Sequence, residues 1–397
     1  MAATEKGVWD LQEVRDKQLA SEWTYDSNVL SLYSWGYNGQ GQLGQNNKTK
    51  YSSPTQVGTN TNWAKIGGGT EGSSVAIKND GTLWTWGKDS YGVLGQNTAS
   101  GTGFSSPKQV GTDNTWNEVE GQQQGMTAIK TDGTLWTWGQ NSNGQLGQNE
   151  GDLFNTHMSS PTQVGTDNTW NKPVVSYSKS SGSIKTNGTL WIWGSNNYGK
   201  LGQNSTGPLS SPTQVGTNTT WNQVYMGQES SLASKTDGTL WTWGDNGAGE
   251  LGINNLTQRS SPTQIPGTTW ATGTRSLSSA DEFGAAIKTD GTLWMWGLNE
   301  QGQLGQNQGP GGNPGSYSSP TQIPGTTWRS VFCGRKNSFA TKTDGTMWSW
   351  GYGNRSSSGL LGQNNAITYS SPVQIPGTTW STNLGGNQFT TLGMKQL

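Results

Sequence analysis

The chain has 397 residues, of which only 29% are hydrophobic, 60 are Gly and 22 are Trp, and its 24 basic residues nearly balance 25 acidic ones. With no long basic run, that balance excludes an electrostatic footprint for nucleic acid. No apolar stretch approaches the length of a membrane span, and a single cysteine, Cys333, excludes an internal disulfide framework. So little apolar matter alone suggests disorder, but regularly placed tryptophans can each bury a large apolar area.

The first 28 residues stand outside any repeat. MAATEKGVWDLQEV has no apolar core of the kind a secretory signal carries. Asp10 and Glu13 are spaced as a capping box. Val8, Trp9, Leu11, Val14, Leu19 and Trp23 supply an apolar set at roughly helical spacing. The segment reads as a short helical or extended element that docks on another protein or on a second copy of this chain. The alternative is a helix packed on its own domain.

From residue 29 onward one phrase returns seven times, roughly LWTWGxNxxGxLGQN…SSPTQVGTxxTW. Its Trp-Gly pairs begin at Trp35, Trp86, Trp138, Trp193, Trp243, Trp296 and Trp350. A period near fifty residues marks a solenoid or a propeller. In the copy from Ser53 to Gln96, four segments read as strands: Pro54–Val57, Trp63–Ile66, Ser73–Lys78 and Thr82–Trp86. Asn79-Asp80-Gly81 is a turn between the last two, where Asp-Gly supplies positive φ. Four antiparallel strands per copy make one propeller blade.

The ends of the repeat specify closure. Leu30–Trp35 has no TDG hairpin before it and reads as a fourth strand. The last copy holds Pro372–Ile375, Trp380 and Phe389–Lys395, then stops. Three C-terminal strands and one N-terminal strand therefore complete a blade, with Leu30, Leu32, Trp35, Phe389, Leu392 and Met394 closing the ring. Closure removes the open edge that would otherwise template aggregation. The expected fold is all-β, a closed seven-bladed β-propeller of four-stranded blades over 29–397, with the attachment segment 1–28 ahead of it.

Segments such as SLASKTDGTLWTWGDNGAGELG (Ser231 to Gly252) and AAIKTDGTLWMWGLNEQGQLG (Ala285 to Gly305) resemble repeats of the regulator of chromosome condensation family. The resemblance covers about residues 30 to 397 and implies seven four-stranded blades, often closed by strands from both termini. The founding eukaryotic member exchanges nucleotide on a small GTPase and binds chromatin. Those activities do not carry over. The family's Gly-x-x-His approach to the third strand is replaced by GGGTEGSSVAIK, GQQQGMTAIK and MGQESSLASK, and neither a basic N-terminal tail nor a long inserted hairpin is present. Lys6 to Trp23 resembles an N-terminal element of structural proteins from tailed bacteriophages, particularly those of marine bacteria.

No group of residues spells a catalytic, cofactor or metal site. His157 stands alone in the loop from Asn149 to Met158 and reads as a solvated loop residue, since one His without Cys or paired carboxylates is a poor metal site. Cys333 reads as a buried strand residue. The Asp of each TDG sits where a turn wants Asp, and Asn187 replaces it once. Asp245–Glu250 lacks the carboxylates of a calcium loop, and GxGxLG is followed by no Lys-Ser/Thr helix for phosphate. The tryptophans occupy equivalent positions in every copy, which favours packing over sugar stacking. The loops before SSP vary in length and are candidate binding loops, with Phe154, His157, Asn307 and Tyr317 as their marked residues.

These observations favour a non-enzymatic virion protein, assembled in the host cytoplasm. Its N-terminus would dock to other virion proteins or to copies of itself, and its propeller would face a host-surface glycan or protein. Two alternatives are a carbohydrate-binding host adhesin and an intracellular protein-interaction scaffold of the chromosome-condensation-regulator type. A hydrolase is disfavoured by the lack of a nucleophile and base set.

Overall fold

The computed structural model describes residues 29–98, 101, 103–149, 156–308, 315–387 and 389–396. The attachment segment and its six apolar side chains, with Phe154, lie outside the described residues.

Seven sheets, each with four antiparallel strands, follow one another around a ring, and in two of them a short inner segment of another blade adds in parallel, Val175–Ser176 on Trp221–Met226 and Gly68–Thr70 on Trp380–Asn387. Blade 1 shows the pattern: Trp63–Ile66 is innermost, then Ser73–Lys78, Leu83–Gly87 and, outermost, Phe104–Gln109. Blades 2 to 6 begin near Trp116, Trp170, Trp221, Trp270 and Trp328 and repeat that order. Blade 7 is the seam. Its sheet runs Tyr51–Gln56, Leu30–Gly36, Thr390–Gln396, Trp380–Asn387. Leu30–Gly36 pairs antiparallel with Thr390–Gln396 from Leu30 opposite Gln396 to Gly36 opposite Thr390.

The seam therefore takes two strands from each end, not three and one. The expected blade was out of phase by one strand. The SSPTQ segment does not open its own copy but closes the previous sheet as the outer edge, as Phe104–Gln109 does on Leu83–Gly87. Physics favours that edge: each such strand carries a proline, which cannot donate to a ladder on both sides. Leu32, Trp35, Leu392 and Met394 are buried in the seam and Leu30 is half-buried. Phe389 lies in the turn before Thr390–Gln396 rather than in the strand.

Indole packing joins blade to blade. Each Trp-Gly tryptophan is fully buried and lies against the GxLG loop of the preceding blade. Its Nε1–H donates to a carbonyl there: Trp86 to Gln42, Trp138 to Val93, Trp193 to Gln145, Trp243 to Lys200, Trp296 to Glu250, Trp350 to Gln303, and Trp35 to Leu360, at 2.7–3.1 Å. The loop can come this close because its last residue is glycine. At Gly252, φ is +65° and a Cβ would stand 2.8 Å from the Trp296 Nε1. Further out, the Asn of each LGQN loop donates its backbone N–H to a serine carbonyl on the next outer strand, from Asn46 to Ser105 around to Asn364 to Ser52. The repeated words LGQN and SSP are thus two halves of one interblade contact.

Candidate functional site

The antiparallel order gives the ring two faces of different chemistry. One carries the TDG turns and the GTxxTW loops. The other carries the hairpins between first and second strands, together with the long loops after Trp-Gly.

The TDG face is built from repeated structural parts. Asp80 Oδ1 accepts from the Thr82 backbone N–H at 3.0 Å and its hydroxyl at 2.6 Å, and Thr82 Oγ1 in turn accepts from Trp84 Nε1 at 2.8 Å. Asn187 keeps the same bonds to Thr189 through its own Oδ1. Beneath the turn, the preceding lysine lies over two indoles: Lys235 Nζ is 3.8 Å from the Trp241 ring centroid and 4.8 Å from that of Trp221. Equivalent lysines 78, 130, 185, 288 and 342 do the same. Such cation–π contacts gain strength as they are desolvated. Burial pulls Lys78 and Lys235 below the usual lysine range, against the attraction of Asp80 and Asp237. Sequence reasoning read the Asp but missed the Lys, whose signal was its fixed place before every TDG or TNG.

Two of these lysines gain a carboxylate. Lys130 meets Asp113, and Lys185 meets Asp167, each at 2.6 Å. Burial opposes ionisation of both acids, but bonds from the lysine and from Thr115 or Thr169 outweigh it and hold each carboxyl at about 2. A carboxyl depressed in the fold stabilises above its ordinary titration range and loses that contribution as pH falls through its folded value. Stability therefore falls between about pH 4 and 2. Asp167→Asn should flatten this acid limb in thermal melts, and an unchanged limb would contradict the assignment.

The centre of the ring is filled by side chains. Blade 5 carries extra residues after Trp270, and they deliver Arg275, at φ +60°, into the middle. Its guanidinium donates to Glu120 Oε1 at 3.0 Å, the Ile66 carbonyl at 3.1 Å and the Tyr225 hydroxyl at 3.1 Å. Glu120 Oε2 also accepts the Gly68 N–H at 2.9 Å. One arginine so joins blades 1, 2, 4 and 5. Tyr177 crosses to donate to the Cys333 carbonyl at 2.9 Å. Cys333 is buried, and burial pushes its thiol up to about 12, far above the range of a nucleophilic thiolate at neutral pH. A recess of about 150 Å³ lies beside Arg275, lined in part by Glu118, Lys172 and Gln223. Among the described residues no three His, Cys, Asp or Glu side chains are grouped to hold a metal.

The hairpin face does not repeat. Its hairpins read TEGS, QQQG, SKSS, QESS, ADEF, GRKN and GNQF. Acidic residues gather on blades 4 and 5 at Glu229, Asp245, Glu250, Asp281 and Glu282. Burial lifts the Glu250 carboxyl to about 7 and raises Asp281 and Glu282. Basic residues follow at Arg335, Lys336 and Arg355.

The marked loop residues fall on this side with mixed roles. His157 is exposed yet placed: its ring meets Tyr91 edge-on at 4.6 Å and its Nδ1 accepts the Asn141 N–H at 3.3 Å. Asn307, at φ +58°, belongs to an interblade contact, accepting from Ser371 Oγ at 3.1 Å. Tyr317 is half-buried against the core and donates to Gln308 Oε1 at 2.9 Å. These three are not brought together. No tryptophan is exposed among the described residues, and the six that are half-buried lie under the lysines before the TDG turns.

Fold and contacts define a seven-bladed propeller stapled by tryptophan from blade to blade. The chain belongs to the RCC1-like domain family, whose description matches residues 31–324. It is similar to the E3 ubiquitin-protein ligase HERC2 of Mus musculus, 24% identical over 329 residues, covering 81% of this chain but 6% of that protein. It therefore spans only a small part of that relative. Among solved structures, human WBSCR16 superposes with a TM-score of 0.79 at 18% identity, over 93% of this chain and 99% of that one. Yeast RCC1 (Prp20), solved with Kap60 bound to it, superposes with a TM-score of 0.76 at 18% identity, over 100% and 95%.

Proposed function

We propose that this chain is a non-enzymatic protein-interaction scaffold of the chromosome-condensation-regulator type, meeting its partner with the hairpin face. One observation carries the reading. The TDG face repeats nearly the same residues in blades 1 to 6, and those residues are spent on turns and Lys–Trp contacts. The hairpin face presents a different sequence from each blade, charged in five of the seven hairpins, and recognition of one partner needs such non-repeating chemistry. A relative solved with a bound protein, yeast RCC1 with Kap60, supports the same reading. The virion-display reading leans chiefly on the Lys6 to Trp23 resemblance, which lies outside the described residues.

Cross-linking in cells that make the protein tests the scaffold. Lys88, Lys179 and Lys336 on the hairpin face should link repeatedly to the same partner proteins. Links confined to Lys65 and Lys172 on the opposite face, or no recurring partner, would sink it.

A further inference from the structure

The seventh Trp-Gly loop breaks the repeat. Where blade 4 reads WGDNGAGELG, this copy reads WGYGNRSSSGLLG. The extra residues form a tight excursion in which Ser356 and Ser357 take φ of +49° and +58°, a region that non-glycine residues rarely occupy. The loop is nonetheless fixed. Ser357 N–H donates to Asn354 Oδ1 at 2.9 Å, Ser358 N–H to the Arg355 carbonyl at 3.0 Å, and Lys50 Nζ to the Ser356 carbonyl at 2.7 Å. Strain that persists under such support points to use.

The excursion places Arg355. Its guanidinium carbon lies 3.3 Å from the centroid of Phe389 and 5.9 Å from that of Tyr37. Its Nε is buried and finds no hydrogen-bond partner among the described residues. A guanidinium stacked on an aromatic face is held in orientation, its donor fork free to receive a planar acceptor. It opens on a recess of about 340 Å³ between blade 6 and the seam, lined also by Gln301, Arg335, Lys336, Asn337 and Tyr352.

Neighbouring charges narrow the ligand. Arg335 already meets Asp281 at 2.8 Å, and Lys336 stands 3.9 Å from Glu300. The recess thus has one cation in excess, with two carboxylates close by that would repel a dianion. A single planar monoanion matches this better than a phosphate. We propose that the recess binds a side-chain carboxylate of an acidic protein segment, with the Phe389-stacked guanidinium of Arg355 as its anchor. The proposal rests on the scaffold reading for the protein that carries the carboxylate, and the recess itself can be tested without that partner.

The probe is a fluorescent hexa-aspartate peptide titrated into the full chain and read by anisotropy. Wild type should bind, and more weakly as salt rises. Arg355→Gln should weaken binding at least tenfold. Arg355→Lys should recover only part of the loss, because lysine keeps the charge but not the planar fork. Lys65→Gln, on the opposite face, should bind as wild type. Excess acetate should compete better than inorganic phosphate at equal ionic strength. No peptide binding, equal binding by Arg355→Gln with its fold intact by circular dichroism, or stronger competition by phosphate would each overturn the carboxylate site. Peptide binding that fails while partner cross-links persist removes this site alone. Arg355-dependent binding without any partner removes the scaffold reading alone.

Discussion

Trp243→Ala should destabilise the propeller by about 3–5 kcal/mol, the cost typical of truncating a large, well-packed core aromatic. Trp243 is fully buried between blades 3 and 4. Its ring meets Trp221 at 6.0 Å between centroids, nearly edge-on, and its Nε1–H donates to the Lys200 carbonyl at 2.7 Å. The truncation would leave a cavity and take one of two donors from the buried Lys200 carbonyl, which keeps only the Ser231 hydroxyl at 2.9 Å. It would also loosen one interblade joint in a ring whose blades contact their neighbours in series. Trp241, two residues earlier, is only half-buried and lies under Lys235, so Trp241→Ala should cost clearly less. Denaturant unfolding of both variants decides the matter. An equal or larger loss from Trp241 would mean that the Lys–Trp contacts, not the Trp-Gly staples, hold the ring.

Much of this arrangement could be read from residue order because each copy states it again. Trp-Gly, TDG and GxLG recur at fixed offsets, so their roles in packing, turning and close approach are legible without coordinates. The phase of the blade was not. SSPTQ and the following Trp lie close in sequence but in different sheets, and their loop looks no different from one within a blade. The proline in every SSPTQ was the available cue, since it belongs on an edge. The central and peripheral arginines were hidden for the opposite reason. Arg275 and Arg355 sit in stretches that depart from the repeat, and what each touches, from Glu120 to Phe389, comes from distant copies that only ring closure brings near.

That central contact carries the second large effect. Arg275→Met should cost about 3–5 kcal/mol near pH 8, the usual penalty for removing one partner of a buried ion pair. Glu120 would be left in the ring with only the Gly68 N–H as its donor, and the Ile66 carbonyl and Tyr225 hydroxyl would lose theirs. The penalty should depend on pH in a definite direction. Burial already pushes the Glu120 carboxyl up to about 7, against the pull of Arg275. An acid whose folded value lies above its unfolded one binds protons more tightly when folded, so stability declines as pH rises from about 4.5 to 7. Without Arg275 the folded value climbs further, and the decline should steepen and extend to higher pH. At pH 5.5 the variant can protonate Glu120, and its deficit should shrink. Glu120→Leu with Arg275→Met removes both charges, so the double variant should lose less than the sum of the two single losses. Urea unfolding of the four proteins at pH 5.5 and 8 measures this coupling. Additive losses, or a deficit for Arg275→Met that is the same at both values, would show that the blades meet at the centre through packing and that the ion pair contributes nothing of its own.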